Sequence, residues 1–447
     1  MGALEEWIAE MFLVHSLNLL RFSSSTQEKI LLLMVAMSKE LTAKLNEGEI
    51  STYGKQRLGA LLRESNAVIS SHYTGMQAEM TRNLTGMVRI EADYTAKVLT
   101  QALKIELGAK LPPATYLEKL VGDTLIKGAP SADWWKRQAL DTQFRFASQV
   151  RLGAAQGETT SQIVSRVLGK SAKAADSLAD KPALPATPPM PDPKAAPPSS
   201  KPGSAAPDAG TGPKGKAPAA PGAPGSPSAP SAPPTGPAAK PGAPTADPAA
   251  KPAAKGPTAA PDPVAPGEQG ILKMSAANAR TLVHSSVQAV ANAARLASFK
   301  ANADLIECIV WLATLDSHTC LLCAVRDQME YTLDEQEPIG HTHDWAGGPG
   351  AIHFGDRCII TTRTKSFKDL GIELDEPGES TRPSDSGAVS SKMNFASFLA
   401  SKDKAWRAEY LGPGRAEMYE AGKITLNDLM NLKGRKLTLE QLQAKYK

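Results

Sequence analysis

The stretch IECIVWLATLDSHTCLLC, Ile306–Cys323, is where this chain changes its period. Its first half is dense in β-branched and aromatic residues, which fit a pleated, half-buried surface, and Asp316 closes it. Two further short runs of the same kind follow, MEYTL (Met329–Leu333) and CIITTR (Cys358–Arg363). The expectation is a small sheet with a Cys/His loop at its end. That loop carries Cys320 and Cys323 in a C-x2-C pair, and then His353 and Cys358 in IHFGDRC.

Immediately upstream the pattern is helical. In SAANARTLVHSSVQAVANAARLASFKAN, Val283, Val287, Val290, Ala294 and Ala301 recur at helical spacing, and the many alanines permit close approach of a neighbouring helix. His284, within this run, reads as a surface or packing side chain. The N-terminal third is helical as well. STQEKILLLMVAMSKELTAKL opens with a Ser25/Glu28 capping-box pattern and runs without Pro or Gly to Leu45. After the break at Leu111–Pro113, SADWWKRQALDTQFRFASQVRLG places Trp135, Ala139, Phe146 and Val150 on one face, with Gly153 positioned to end the helix. Trp134, Trp135, Phe144 and Phe146 read as packing between helices rather than as an interaction surface. A short helix, TTSQIVSRVLG, follows.

Between the two helical regions lies a compositional break. Residues 182–266 hold 27 of the 35 prolines and no Phe, Trp or Tyr. So little apolar surface cannot offset the entropy lost on ordering, and the segment is expected to be a disordered Pro/Ala/Gly-rich linker. The fold class is therefore mainly α with a small β-rich subdomain: a helical N-terminal region, the linker, and an α+β C-terminal region. The boundaries fall at 1–129, 130–181, 182–266, 271–368, a flexible segment 369–392, and a helical tail 393–447.

Composition excludes several classes. The most apolar run, ILLLMVAM (Ile30–Met37), is well short of the ~20 residues a membrane span needs. The opening MGALEEWIAEMF is acidic where a secretory signal is basic, and Glu6 stands where myristoylation needs Ser or Thr. The expectation is a soluble protein made in a cytoplasm. The seven Lys and four Asp of the linker give it +3 of the chain's formal +4, so the remainder carries +1, far from the basic excess of a dedicated DNA-binding domain. The glycines of AGGPGAIHFGD and LGPGR lack the G-x4-G-K-[ST] phosphate loop and read as turns. No nucleophile elbow, zincin or kinase motif is present.

The cysteines carry the remaining chemistry. Cys320, Cys323, His353 and Cys358 give C-x2-C followed by H-x4-C, a Cys3His donor set for one tetrahedral ion, with zinc the cofactor it suits. His318, His341, His343 and Asp356 are spare donors. A redox pair would need a thioredoxin-like βαβ setting, and a deaminase would need H-x-E ahead of the cysteines; neither is found. Burial of the thiols without metal remains open at this stage, as does catalysis. Cys308, in LIECIVWL, reads as a core thiol.

Several of these blocks together resemble one family. SADWWKRQALDTQFRFASQVRLGAAQGETTSQIVSRVLG, ARTLVHSSVQAVANAARLASFKAN, WLATLDSHTCLLCAVRDQMEYTL and IHFGDRC are similar, in that order, to the phage Mu F-like minor head protein, or phage head morphogenesis, family. The matching positions are Trp135, the Gly153/Gly157/Thr159 step, Asn302, Thr314–Cys323 and His353–Cys358, over about residues 130–365. AEYLGPGRAEMYEAGKITLNDLMNLKGRKLTLEQL resembles the family's tail, with a Thr438/Gln441 capping box. The family's closing C-R-C is D-R-C here, Asp356 replacing one thiol. The resemblance implies a non-enzymatic virion protein of a tailed bacteriophage. It would contact the portal protein, scaffold or major capsid protein, lie in the head interior near the portal, and pass through the host cytoplasm during assembly. Packaged DNA is a further implied partner. The alternative is a zinc-dependent nuclease or DNA-binding virion protein, for which GHTHDW (Gly340–Trp345) would have to supply a histidine base.

Overall fold

The computed structural model describes residues 3–104, 108–169, 270–372, 381–430 and 436–446. Contacts divide the chain into a unit of Met1–Ser199 with Lys255–Lys447 and a unit of Ser200–Ala254. The Pro/Ala/Gly-rich segment 182–266, and with it the second unit, lies outside the described residues.

Two long helices dominate: α1 (Ala3–Leu45) and α2 (Lys55–Ala102). They are antiparallel, because partners run in opposite senses along them: His15 meets Glu91, Lys29 meets Asn83, and Lys44 meets Glu64. The Ser25/Glu28 cap is not used. Nothing between Ala3 and Leu45 breaks a helix, and Leu19, Ile30, Leu31 and Met34 bury a continuous stripe through that point. A cap stabilises an end only where the buried stripe also ends.

α3 (Ala114–Asp123) and a two-residue hairpin, β1 (Leu125–Ile126) with β2 (Ala129–Pro130), lead to α4 (Ser131–Ala155) and α5 (Thr160–Leu168). α6 (Ile271–Ala301) then packs against α1, α2 and α4. On α4 the expected face is buried: Trp135, Ala139, Phe146 and Val150 all enter the core. Phe144 does not; it is 74% exposed and is corrected from a packing residue to a surface one. Gly153 does not end α4 either. A Cβ there would lie 2.5 Å from Ile163 Cγ1, so this glycine lets α5 approach, and the turn is made at Gly157 with φ of 68°. The helix α5 opens with a complete capping box, Thr159 with Gln162.

The sheet has four antiparallel strands in the order β5-β4-β3-β6: β3 (Ile306–Leu312), β4 (Glu330–Tyr331), β5 (Pro338–Ile339) and β6 (Ile359–Thr364). Central β3 pairs Leu312 with Ile359 and Ile309 with Thr362. Cys308–Leu312 are all buried, which explains why the sequence there is a continuous apolar run rather than an alternating one. Among the described residues no helix is long and apolar enough to cross a membrane.

Beyond the sheet, α7 is a single turn (Leu321–Ala324). Thr381–Ser384 (β7) and Gly387–Ser390 (β8) form a hairpin inside the segment expected to be flexible. Arg382 anchors it: 2% exposed, it donates from Nη1 and Nη2 to the Asp327 carboxylate at 3.0 Å each. The tail is helical as expected, in short pieces: α8 (Phe395–Ser401), α9 (Lys404–Leu411), α10 (Pro413–Glu420) and α11 (Leu439–Lys445). Asn394, Asp403 and the Thr438/Gln441 box cap three of them.

Candidate metal centre

The C-x2-C pair sits on the turn of α7, with Cys320 at its N-cap and Cys323 inside it. The second half of the site comes from the loop ahead of β6, and α6 holds that loop in place. Asn292 accepts from the Ile360 amide (2.8 Å) and donates to the Cys358 carbonyl (3.1 Å), while Ser285 Oγ accepts from the Gly355 amide (2.9 Å). His284 is hydrogen-bonded to the Asp356 backbone, and burial lowers its pKa. Gly350 has φ of +81°, and a Cβ on it would lie 2.8 Å from the Gln288 carbonyl carbon. Only a glycine lets the loop pass this close to α6.

These supports bring five donors together in two triads that share Cys323. One is Cys320, Cys323 and His353; the other is Cys323, Asp356 and Cys358; within each triad the donor atoms lie within 4.8 Å of one another. His353 Nε2 is 3.0 Å from Cys320 Sγ and 3.3 Å from Cys323 Sγ. Its Nδ1 faces the Phe354 carbonyl at 2.8 Å, so Nε2, which faces the two sulfurs, is the nitrogen that would bind a metal once it gives up its proton. A tetrahedral ion with ordinary Zn–S and Zn–N bonds sets those N···S separations at about 3.6 Å. The side chains thus need to part by only about half an ångström.

The electrostatics set one acidified thiol among donors that hold their protons. The Cys320 thiol is pulled below its ordinary pKa by the hydrogen bond from Cys323, with His353 adding to it. His353 is raised despite its burial, because it faces the Cys320 sulfur. Burial raises Cys323 and holds Cys358 up at about 12, and it raises the Asp356 carboxyl as well. A metal cation binding here would displace those protons, which is how cysteine-rich sites couple affinity to pH.

Of the expected set, Cys320, Cys323 and His353 meet directly, and Cys358 joins through Cys323. Asp356 instead folds the loop, since its Oδ2 accepts from the Gly350 amide (2.8 Å) and its Oδ1 from the Cys358 amide (2.9 Å). His318 is exposed and falls in neither triad. Cys308 is buried in β3 away from the cluster, its pKa pushed to about 12 by burial. His341 and His343 line a separate cavity of about 670 Å³ with Asn427, Asp428 and Lys445. There His341 is committed on both nitrogens, Nε2 to the Glu330 carbonyl (2.8 Å) and Nδ1 to the His343 amide (3.3 Å). Burial lowers the pKa of His343. Among the described residues no metal-capable donor group includes either histidine.

Residues that sequence reasoning did not mark are Asn292, Ser285 and Gly350. The signal for Gly350 was present in the glycine-rich AGGPG; Asn292 and Ser285 are ordinary helix residues with none. Compared with known proteins, the chain matches no family model, no curated protein and no solved structure.

Proposed function

We propose that this chain is a minor head protein of a tailed bacteriophage, a structural, non-enzymatic virion component. It associates with the portal, scaffold or major capsid protein inside the procapsid, near the packaged DNA. One observation carries the reading: the family-like blocks, about a hundred residues apart in sequence, meet in one place. Trp134 of α4 packs edge-on against Phe354 of the Cys/His loop at 4.9 Å. Ser131 pairs with Ser286 (3.1 Å), and on the turn of α6 just ahead of the second block the Asn278 carbonyl accepts from Gln138 (3.2 Å) and Ser275 pairs with Thr142 (3.0 Å). Blocks that pack on one another are what a single inherited module requires, and the long segment between them then behaves as an insertion. Zinc, held by Cys320, Cys323, His353 and Cys358, is the ion this reading assigns, and its role is to crosslink loops rather than to activate water.

The test is biochemical. Co-expressed with portal and scaffold, the protein co-purifies with procapsids, and particles made without it are defective in assembly or infectivity. His343→Ala leaves that association unchanged. Metal-dependent DNA cleavage by the wild-type protein, lost in His343→Ala, would overturn the structural reading in favour of a nuclease. Metal analysis should find about one zinc per chain.

A further inference from the structure

Among the described residues the buried apolar side chains fall into three clusters, and the metal centre stands where they meet. The helical bundle reaches it through Ala351 and Phe354. The sheet cluster contains Cys323 and Cys358, with Cys320 and Ile352 packed against it. The tail cluster, built on Phe395, Phe398, Leu399 and Leu411, contains Leu321, Ala324 and Val325. The turn α7 therefore has two allegiances. Its thiols face the sheet, and its apolar side chains belong to the tail.

A one-turn helix has no stability of its own, since nucleation costs more than a single turn returns. Whatever fixes α7 must come from outside it, and the two thiols that bracket it are its link to the loop of His353. We infer that the ion held between Cys320, Cys323 and His353 is what docks the C-terminal helices α8, α9 and α10 onto the sheet; this rests on the zinc reading of the site. Two polar links from tail to sheet leave from the residues just after this turn, while Leu315, just past the end of β3, joins the tail cluster directly. Asp327 Oδ2 accepts from the Phe395 amide (2.8 Å), and Gln328 Nε2 donates to the Ser391 carbonyl (2.6 Å). Asp327 also accepts from the Ala313 amide (2.8 Å) and holds Arg382 of the β7–β8 hairpin. Loosening the Cys320–Cys323 turn thus unseats Leu321, Ala324 and Val325, the apolar contacts it gives the tail, and leaves only Leu315 and the Asp327 and Gln328 hydrogen bonds to hold the tail on the sheet. The helical bundle has its own cluster and does not depend on this turn.

Hydrogen exchange on the full chain tests this, comparing zinc-loaded protein with protein stripped by a chelator, with metal content measured on the same samples. Removing the ion should speed amide exchange in Phe395–Glu420 by about tenfold or more while α6 stays protected. Leu321→Ala, which leaves every donor in place, should keep its zinc and still show faster exchange in the same helices. Stripped protein whose tail remains as protected as the loaded form overturns the inference and leaves the zinc reading standing. A tail still protected in Leu321→Ala also counts against it. A zinc-supplemented chain that carries no metal overturns the zinc reading and this inference together.

Discussion

Glu91→Gln is the substitution that tests whether helices on the two sides of the Pro/Ala/Gly-rich segment share one core. Glu91 of α2 is 1% exposed and lies between His15 of α1 (2.7 Å) and Arg295 of α6 (2.6 Å); Arg295 is fully buried, its guanidinium 4.8 Å from the Phe12 ring centroid. Its Nε and Nη1 find no hydrogen-bond partner among the described residues, so Glu91 carries the compensation for this charge. Neutralising Glu91 leaves a buried guanidinium unpaired, which costs about 3–5 kcal/mol. Arg295→Met alone strands Glu91 with only His15 and costs less, about 2–3 kcal/mol. The double variant removes both charges, so its cost falls below that of Glu91→Gln, a coupling of about 2–3 kcal/mol. Urea unfolding reads this directly: at a slope of about 3 kcal/mol per molar, Glu91→Gln lowers the midpoint by about 1 M or more. Costs of the two single changes that simply add, or a Glu91→Gln cost under about 1 kcal/mol, would refute the three-helix charge cluster.

The same carboxylate sets an acid limit. Burial would raise its pKa, but Arg295 and His15 overcome that and bring it from 4.5 to about 2; since the native value lies below the unfolded one, the stabilisation is complete above about pH 5. It is lost between about pH 4.5 and 2, a loss of about 3 kcal/mol that a pH series of urea midpoints shows in wild type and not in Glu91→Gln. Gly350→Ala forces a Cβ against the Gln288 backbone at a φ that suits glycine, costs about 2 kcal/mol or more in thermal unfolding, and lowers zinc retention on dialysis because the His353 loop shifts. Phe144→Ser and Phe146→Ala separate two aromatics two residues apart: the first changes stability by less than about 0.5 kcal/mol, the second lowers it by about 3–5 kcal/mol.

Much of the helical architecture was legible because its signal is periodic. Trp135, Ala139, Phe146 and Val150 lie on the buried face that their spacing marks, and the Thr438/Gln441 box opens a helix. Reading failed where a local rule met a tertiary one. Ser25 and Glu28 fit a helix start, yet the buried stripe of α1 passes through them. Gly153 fits a helix stop, yet its missing side chain makes room for Ile163. The hairpin at Thr381–Ser390 has little strand propensity, and what holds it is a buried Arg382–Asp327 pair spanning 55 residues, which no local window contains. Phe144 and Phe146 differ only by the side of α4 they occupy, and sorting an aromatic cluster by residue type alone put both inside.

At the candidate metal centre, spacing identified donor types but could not assign their roles. C-x2-C reads as two ligands because a single turn brings the thiols together, and that needs no tertiary information. His353 and Cys358 are thirty residues or more downstream, and their arrival depends on Asn292, Ser285 and Gly350 fitting the loop to α6. Asp356 shows why counting donors is not enough. A carboxylate two residues from Cys358 reads as a further ligand, but both its oxygens accept backbone amides from the loop it closes. Ligating a metal through either oxygen would compete with the hydrogen bonds that shape the site, whereas Cys358 Sγ has no such commitment to the backbone. The donors that meet directly are therefore Cys320, Cys323 and His353, with Cys358 reached through Cys323. Asp356 beside them keeps the loop in the shape those donors need.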